Sequence, residues 1–238
     1  MNSIIVFQDR ESDSPLVERV WRCRSERGGK FISIAASTFE MVLSRLPGQN
    51  YFTLRGPETK ATVIDCPAEG EWLGIRFKPG TFMPRLLPSC LCDHNDVNLP
   101  AASSGSFWLD SSAWEYPGFE NAETFVHRLQ QAGIIARDHA VDAVLRGEPQ
   151  NLSLRSVQRH FLQATGLSYT ALRQIERARY ATRLLQQGVA ILDVVHLAGY
   201  FDQAHLTRSL TRLIGQTPVK IIRGESQLSF LYKTQFLP

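Results

Sequence analysis

No apolar run in these 238 residues approaches the roughly 20 that a membrane helix needs. The opening MNSIIVFQDRESD is apolar for only a few residues and then turns acidic, unlike a secretory leader. A cytoplasmic protein without a membrane partner is expected. Cysteine is sparse, with four residues (Cys23, Cys66, Cys90, Cys92), so stable disulfides are not expected there. Histidine is scarcer still in the first half. Residues 1–120 hold only His94, which excludes an all-His or two-His metal centre in that region. Cys90-Leu91-Cys92-Asp93-His94 is the one metal-like cluster. Its thiols, with Cys66 or His94, could hold a soft metal or form a redox pair, but the spacing is not that of a C-x-x-C knuckle. Neither G-x-S-x-G nor G-x-x-x-x-G-K-[ST] occurs. No catalytic residue, metal or cofactor is assigned, and an enzyme is not expected.

The hydrophobic fraction of 43% and charged fraction of 21% are those of an ordinary globular chain. Net charge is only +3, but it is unevenly spread. Residues 150–223 carry Arg155, Arg159, Arg173, Arg177, Arg179, Arg183, Arg208, Arg212, Lys220 and Arg223 against Glu176, Asp193 and Asp202, about +7. Residues 1–149 come to about −4. A basic half beside an acidic one suits a polyanion-binding module joined to another domain.

The first half has the period of strands. Ile4–Phe7, Val17–Cys23, Phe31–Ile34, Phe39–Leu43, Tyr51–Leu54, Ala61–Ile64 and Trp72–Phe77 are short apolar segments. Gly28-Gly29, Gly48, Gly56-Pro57, Pro67 and Pro79-Gly80 break them. This spacing predicts a small antiparallel β-barrel or sandwich over residues 1–115, for sensing or dimerisation. Its aromatics, Trp21, Phe31, Phe39, Tyr51, Phe52, Trp72 and Phe77, are core or ligand-lining candidates. Trp21, Tyr51 and Trp72 are taken as the weak ligand-binding set for a small-molecule effector. Phe82, Met83, Leu86 and Leu87 suggest a short helix before Pro88, and Leu99 to Gly118 an irregular linker or lid.

Beyond about residue 119 the period becomes 3.6. Helices are expected near 121–132, with Asn121 as N-cap, and 137–146. Further helices follow from Ser153 to Thr165, Ser168 to Gln187, Ile191 to Ala198 and Asp202 to Ile214. The segment Ser153–Tyr169 is repeated 49 positions later as Asp202–Pro218 without a gap. Val157 falls on Leu206, Arg159 on Arg208, Phe161 on Leu210 and Gly166 on Gly215. The last two helices around Gly199 form a helix-turn-helix pattern. In such a unit the second helix enters the major groove, and Gln and Arg there can pair with adenine and guanine. The exposed positions are Arg155, Ser156, Gln158 and Arg159 in the first copy. In the second they are Gln203, Ala204, His205, Thr207, Arg208 and Arg212. Arg159 and Arg208, at the same repeat position, serve as phosphate clamps or as packing donors. The helix from Ser168, roughly 27 Å long, carries Arg173, Arg177, Arg179 and Arg183 on the face opposite its apolar stripe.

Ala198-Gly199-Tyr200-Phe201-Asp202-Gln203-Ala204-His205-Leu206-Thr207-Arg208, followed by Ile214-Gly215-Gln216-Thr217-Pro218, resembles the DNA-binding domain of AraC/XylS-type transcriptional regulators. Arg177, Ala181, Leu184 and Leu185 match the family's linking helix. Leu152-Ser153, Gln158-Arg159, Phe161 and Thr165-Gly166 match its first unit. Trp72 to Gly80, with G-x-R-F-x-P-G, is more weakly similar to barrel-like sensor domains of some members. The resemblance implies an α+β chain with an all-α double helix-turn-helix domain over 116–223 and a tail over 224–238. It also implies two adjacent major grooves in double-stranded promoter DNA; RNA polymerase and a second copy of the chain are the further partners expected, and the sequence does not tell an activator from a repressor. Groove-facing positions carried over are Arg155, Gln158, Arg159, Gln203, Ala204 and Arg208. Ala204 departs from the polar residue common there. The rival reading is a small-molecule-binding or redox- or metal-sensing barrel whose helical half makes protein contacts.

Overall fold

The computed structural model describes residues 5–94, 96–149 and 151–224. In chain order the strands are β1 (Ile5–Glu11), β2 (Val17–Ser25), β3 (Gly29–Ser33), β4 (Glu40–Leu46), β5 (Gln49–Arg55), β6 (Thr62–Cys66), β7 (Glu71–Phe77), β8 (Thr81–Phe82), β9 (Val97–Leu99), β10 (Ala101–Ser103), β11 (Ser106–Leu109), β12 (Ser112–Glu115) and β13 (Ala136–Arg137). The helices are α1 (Ala122–Gln131), α2 (His139–Leu145), α3 (Leu154–Thr165), α4 (Tyr169–Gln186), α5 (Ile191–Leu197), α6 (Gln203–Leu213) and α7 (Pro218–Arg223). A strand-rich region thus precedes a helical one. The packing units interleave along the chain. One comprises the chain up to Gly28, Thr38–Pro57 and Pro67–Tyr169; the other comprises Gly29–Ser37, Glu58–Cys66 and the chain from Thr170.

The first unit is built on an antiparallel sheet ordered β1-β2-β7-β4-β5-β9. It is open: β1 and β9 each pair on one side only, so the described strands make sheets and no closed barrel. Alternation decides its buried face. Leu43 lies opposite Leu73 and Phe52, and Met41 opposite Ile75 and Leu54; all six are buried. Phe125, Val126 and Leu129 of α1 and Phe107 of β11 join this cluster. Phe107 stacks on Phe52 with ring centres 4.2 Å apart, an arrangement worth about 0.5–1.5 kcal/mol beyond the area buried.

Three expectations fail here. Residues 82–87 are not a helix: β8 pairs with β13, Met83 bridges Leu86, and helical turns begin only at Pro88. Pro84 explains this, since it lacks an N–H and biases Met83 toward extended backbone. Residues 99–118 are not an irregular linker but mostly the sheet β10-β11-β12. The β11–β12 turn has Asp110 and Ser111 both at positive φ (50° and 63°), a primed-turn pattern whose usual Asn-Gly signature is absent. At α1, Asn121 occupies the cap position without capping; its side chain accepts from the Gly118 N–H instead.

Arg10 of β1 ties the α1 region to the sheet. It forms a two-pronged pair with Glu123 (2.5 and 2.7 Å) and donates to the Phe119 carbonyl at 2.7 Å. The hydrogen bond from Arg10 pulls the Glu123 carboxyl down to about 2, from an ordinary 4.5. A depressed carboxyl stabilises the fold above its unfolded value and loses that contribution as pH falls through the folded value. Urea midpoints are therefore expected to favour the native chain over Glu123→Gln at pH 7, with the gap closing between pH 4.5 and 2. A gap unchanged down to pH 2 would mean the pair is not formed.

In the second unit, β3 and β6 pair antiparallel, Gly29 opposite Cys66 through Ser33 opposite Thr62. The segments beside them close the end of α6. Ala35 N–H donates to the Leu213 carbonyl (2.8 Å) and Ala61 N–H to the Arg212 carbonyl (2.9 Å), satisfying groups a helix terminus otherwise leaves free. Ser37 donates to Glu176 of α4 at 2.6 Å, and buried Arg179 donates to the Ala35 carbonyl at 3.3 Å. Gly215 adopts φ +78°, and a Cβ there would meet Ile32 at 2.9 Å. Residues 225–238, where most of the expected tail falls, lie outside the described residues.

Candidate nucleic-acid interface

Each copy of the repeat folds as an amphipathic helix with the expected start. Ser153 caps α3, accepting from the Ser156 N–H at 3.2 Å, and Gly166 ends it at φ 72°. Asp202 caps α6, accepting from the His205 N–H at 2.6 Å. Such caps contribute about 0.5–2 kcal/mol each. Phe161 and Ala164 are buried in the first copy; Leu206, Leu210 and Leu213 are buried in the second.

The outward faces correspond closely. In α3, Leu154, Arg155, Gln158, Arg159, Leu162 and Gln163 are exposed. Shifted by 49, the same positions in α6 are Gln203, Ala204, Thr207, Arg208, Thr211 and Arg212; all are exposed except half-buried Thr207. This i, i+1, i+4, i+5 stripe is one continuous helix face. Ser156 is half-buried and its hydroxyl lies 3.0 Å from Ser153, inside the cap. His205 is half-buried, its ring edge-on to Tyr200 at 5.1 Å. Thr207 donates its hydroxyl to the Gln203 carbonyl at 2.8 Å. Ser156 and His205 therefore belong more to the helix starts than to the open stripe, whereas Thr207 stays on the stripe with its hydroxyl turned to the backbone.

The turn between α5 and α6 is held from α4. Arg177 lies over the Tyr200 ring at 4.4 Å and donates to the Gly199 carbonyl at 3.2 Å. The Tyr200 hydroxyl lies 3.1 Å from Ser209, and burial pushes its pKa up. The expected arginine stripe of α4 is accordingly corrected. Arg179 turns inward, Arg177 holds the turn, and Arg183 lies 5.7 Å over the Tyr180 ring; Arg173 stays exposed. Spacing explains the error: Arg179 sits four residues after Ile175 and three before Thr182, both buried.

The weak ligand set does not converge. Trp21 is buried, its indole filling the space over Gly74, where a Cβ would meet it at 2.0 Å. Tyr51 is half-buried on β5. Trp72, laid against Gly70, borders a cavity of about 350 Å³ in the first unit that neither Trp21 nor Tyr51 reaches. That cavity is lined by Arg22, Arg24 and Arg45, which sequence reasoning did not single out. The alternation of Arg22 and Arg24 on one strand face was the available signal. Cys90 is exposed, while burial, then Asp93, raises the Cys92 thiol, the opposite of a reactive thiolate. Among the described residues no three His, Cys, Asp or Glu side chains gather as a metal site. No described helix is long and apolar enough to cross a membrane.

Comparison with known proteins bears on the helical region. A helix-turn-helix domain family matches residues 150–224. The HTH-type transcriptional regulator RipA of Corynebacterium glutamicum is 36% identical over 78 residues, 33% of this chain. The match spans only 24% of that relative's length. Among solved structures, ToxT of Vibrio cholerae aligns over 91% of this chain and 98% of its own at 9% identity, with a TM-score of 0.40. Motif, helix geometry and family match coincide on one segment: residues 150–224 of this chain match a helix-turn-helix domain family.

Proposed function

We propose that the chain is a sequence-specific transcription regulator, not an enzyme, reading two adjacent major grooves of promoter DNA with α3 and α6. The observation that carries this reading is the pair of exposed stripes at matching repeat positions, each on a capped helix. Residues 116–223 are the DNA-binding part and residues 1–115 the controlling part, through an effector or a homodimer contact, with RNA polymerase as the further partner. Arg155, Gln158 and Gln203 are the base readers, since each ends in groups that pair with a base edge in the major groove. Ala204 offers only a methyl group.

The test is selection of bound duplexes from a random library, followed by Arg155→Ala. The variant is expected to lose about 1–3 kcal/mol of discrimination at one or two positions while still binding. Identical preferences in the native chain and the Arg155→Ala, Gln203→Ala double variant would refute the assignment.

A further inference from the structure

The first unit holds a cluster that the DNA reading leaves unused. In the sheet register Glu71 of β7 lies opposite Arg24 of β2 on one side and Arg45 of β4 on the other. The next row toward the core places Arg22 opposite Leu73. Strand alternation puts Arg22, Arg24, Arg45 and Glu71 on the same face as buried Leu73, at the end of the apolar core. They border the cavity of about 350 Å³, which Phe119 also lines.

Charge in this cluster is unbalanced. Three guanidiniums face one carboxylate. Arg24 and Arg45 are exposed, and among the described residues their side chains make no hydrogen bond or ion pair. Arg22 is held, donating to Gln8 at 2.8 Å and lying over the Phe119 ring at 4.5 Å. The wall is fixed as well, because Arg10 binds the Phe119 carbonyl. A pocket with a rigid apolar side and two free guanidinium forks matches a ligand with an apolar body and a planar anionic head. Its volume lies at the lower end of the roughly 300–1,000 Å³ usual for small-molecule sites.

We propose that this cavity binds a small organic anion, a carboxylate on a flat apolar body, with Arg24 and Arg45 gripping the carboxylate and Leu73 and Phe119 receiving the body. The site specifies the effector class in the regulator reading, and rests on that reading only for its consequence, not for the binding. The probe is 2-naphthoate, titrated calorimetrically into the full chain, with neutral 2-naphthamide as control. Naphthoate is expected to saturate one site and to bind about tenfold or more tightly than the amide. Arg24→Gln with Arg45→Gln should abolish that preference. Glu71→Gln should strengthen naphthoate binding, a gain that misfolding cannot imitate. Equal binding of acid and amide, no binding of either, or an unchanged double variant would overturn the proposal. Duplex binding by the same double variant separates the two readings: if retained, the groove assignment stands whatever the calorimetry shows.

Discussion

Glu40→Ala is expected to cost about 3–5 kcal/mol of folding stability, the range for removing one partner of a buried ion pair. Glu40 begins β4 and lies opposite Arg76 of β7, with Nε and Oε1 2.6 Å apart. Their exposures are 5% and 1%, so water cannot replace the missing carboxylate. The cost comes chiefly from removing the carboxylate that faces a buried guanidinium, not from the pair's intrinsic value. The double change Glu40→Met with Arg76→Met should therefore be milder than Glu40→Ala alone, because both charges of the pair are removed together. Urea denaturation of the three variants measures this. A loss below about 1 kcal/mol for Glu40→Ala would show that the pair is hydrated in solution.

The second large effect concerns Arg159 and Arg208. The other paired positions on the two outward stripes differ, Leu154 with Gln203, Arg155 with Ala204, Gln158 with Thr207, Leu162 with Thr211 and Gln163 with Arg212. The two arginines alone are shared. Two helices that face different base sequences have no reason to share a base reader, but both meet the same phosphate backbone. Arg159→Ala with Arg208→Ala is therefore expected to weaken duplex binding by roughly 3 kcal/mol or more, about a hundredfold. The loss should be similar for selected and unrelated duplexes, and the salt slope should fall by about two units, near 0.9 for each phosphate contact. A loss confined to the selected sequence would make them base readers instead. Binding curves at several salt concentrations decide between the two.

Much of this architecture was legible in the sequence because the periods are local. The strands from Val17 to Phe77 announce themselves by alternation and turn residues, and α3 and α6 by cap, apolar pair and glycine stop. What was not legible depends on distant partners. Nothing near Ala35 or Ala61 signals that their N–H groups meet the last carbonyls of α6. Ser106–Leu109 and Ser112–Glu115 are too short and too polar to read as strands, until Phe107 is seen buried against Phe52. The arginine cavity needed register: Arg24 and Arg45 are 21 positions apart and become neighbours only through Glu71. Arg179 was assigned to the wrong face because its charge was weighed above its spacing. In α3 and α6 the sequence showed which side chains stand outward, yet Ser156 and His205 are partly taken up by the helix caps.

The central claim is that α3 and α6 read DNA together. Hydroxyl-radical footprinting of the full chain on a selected duplex tests it most directly. The account predicts two protected segments about 10–10.5 base pairs apart on one face of the duplex, the spacing of successive major grooves. A single protected segment, or protection that does not depend on sequence, would contradict it.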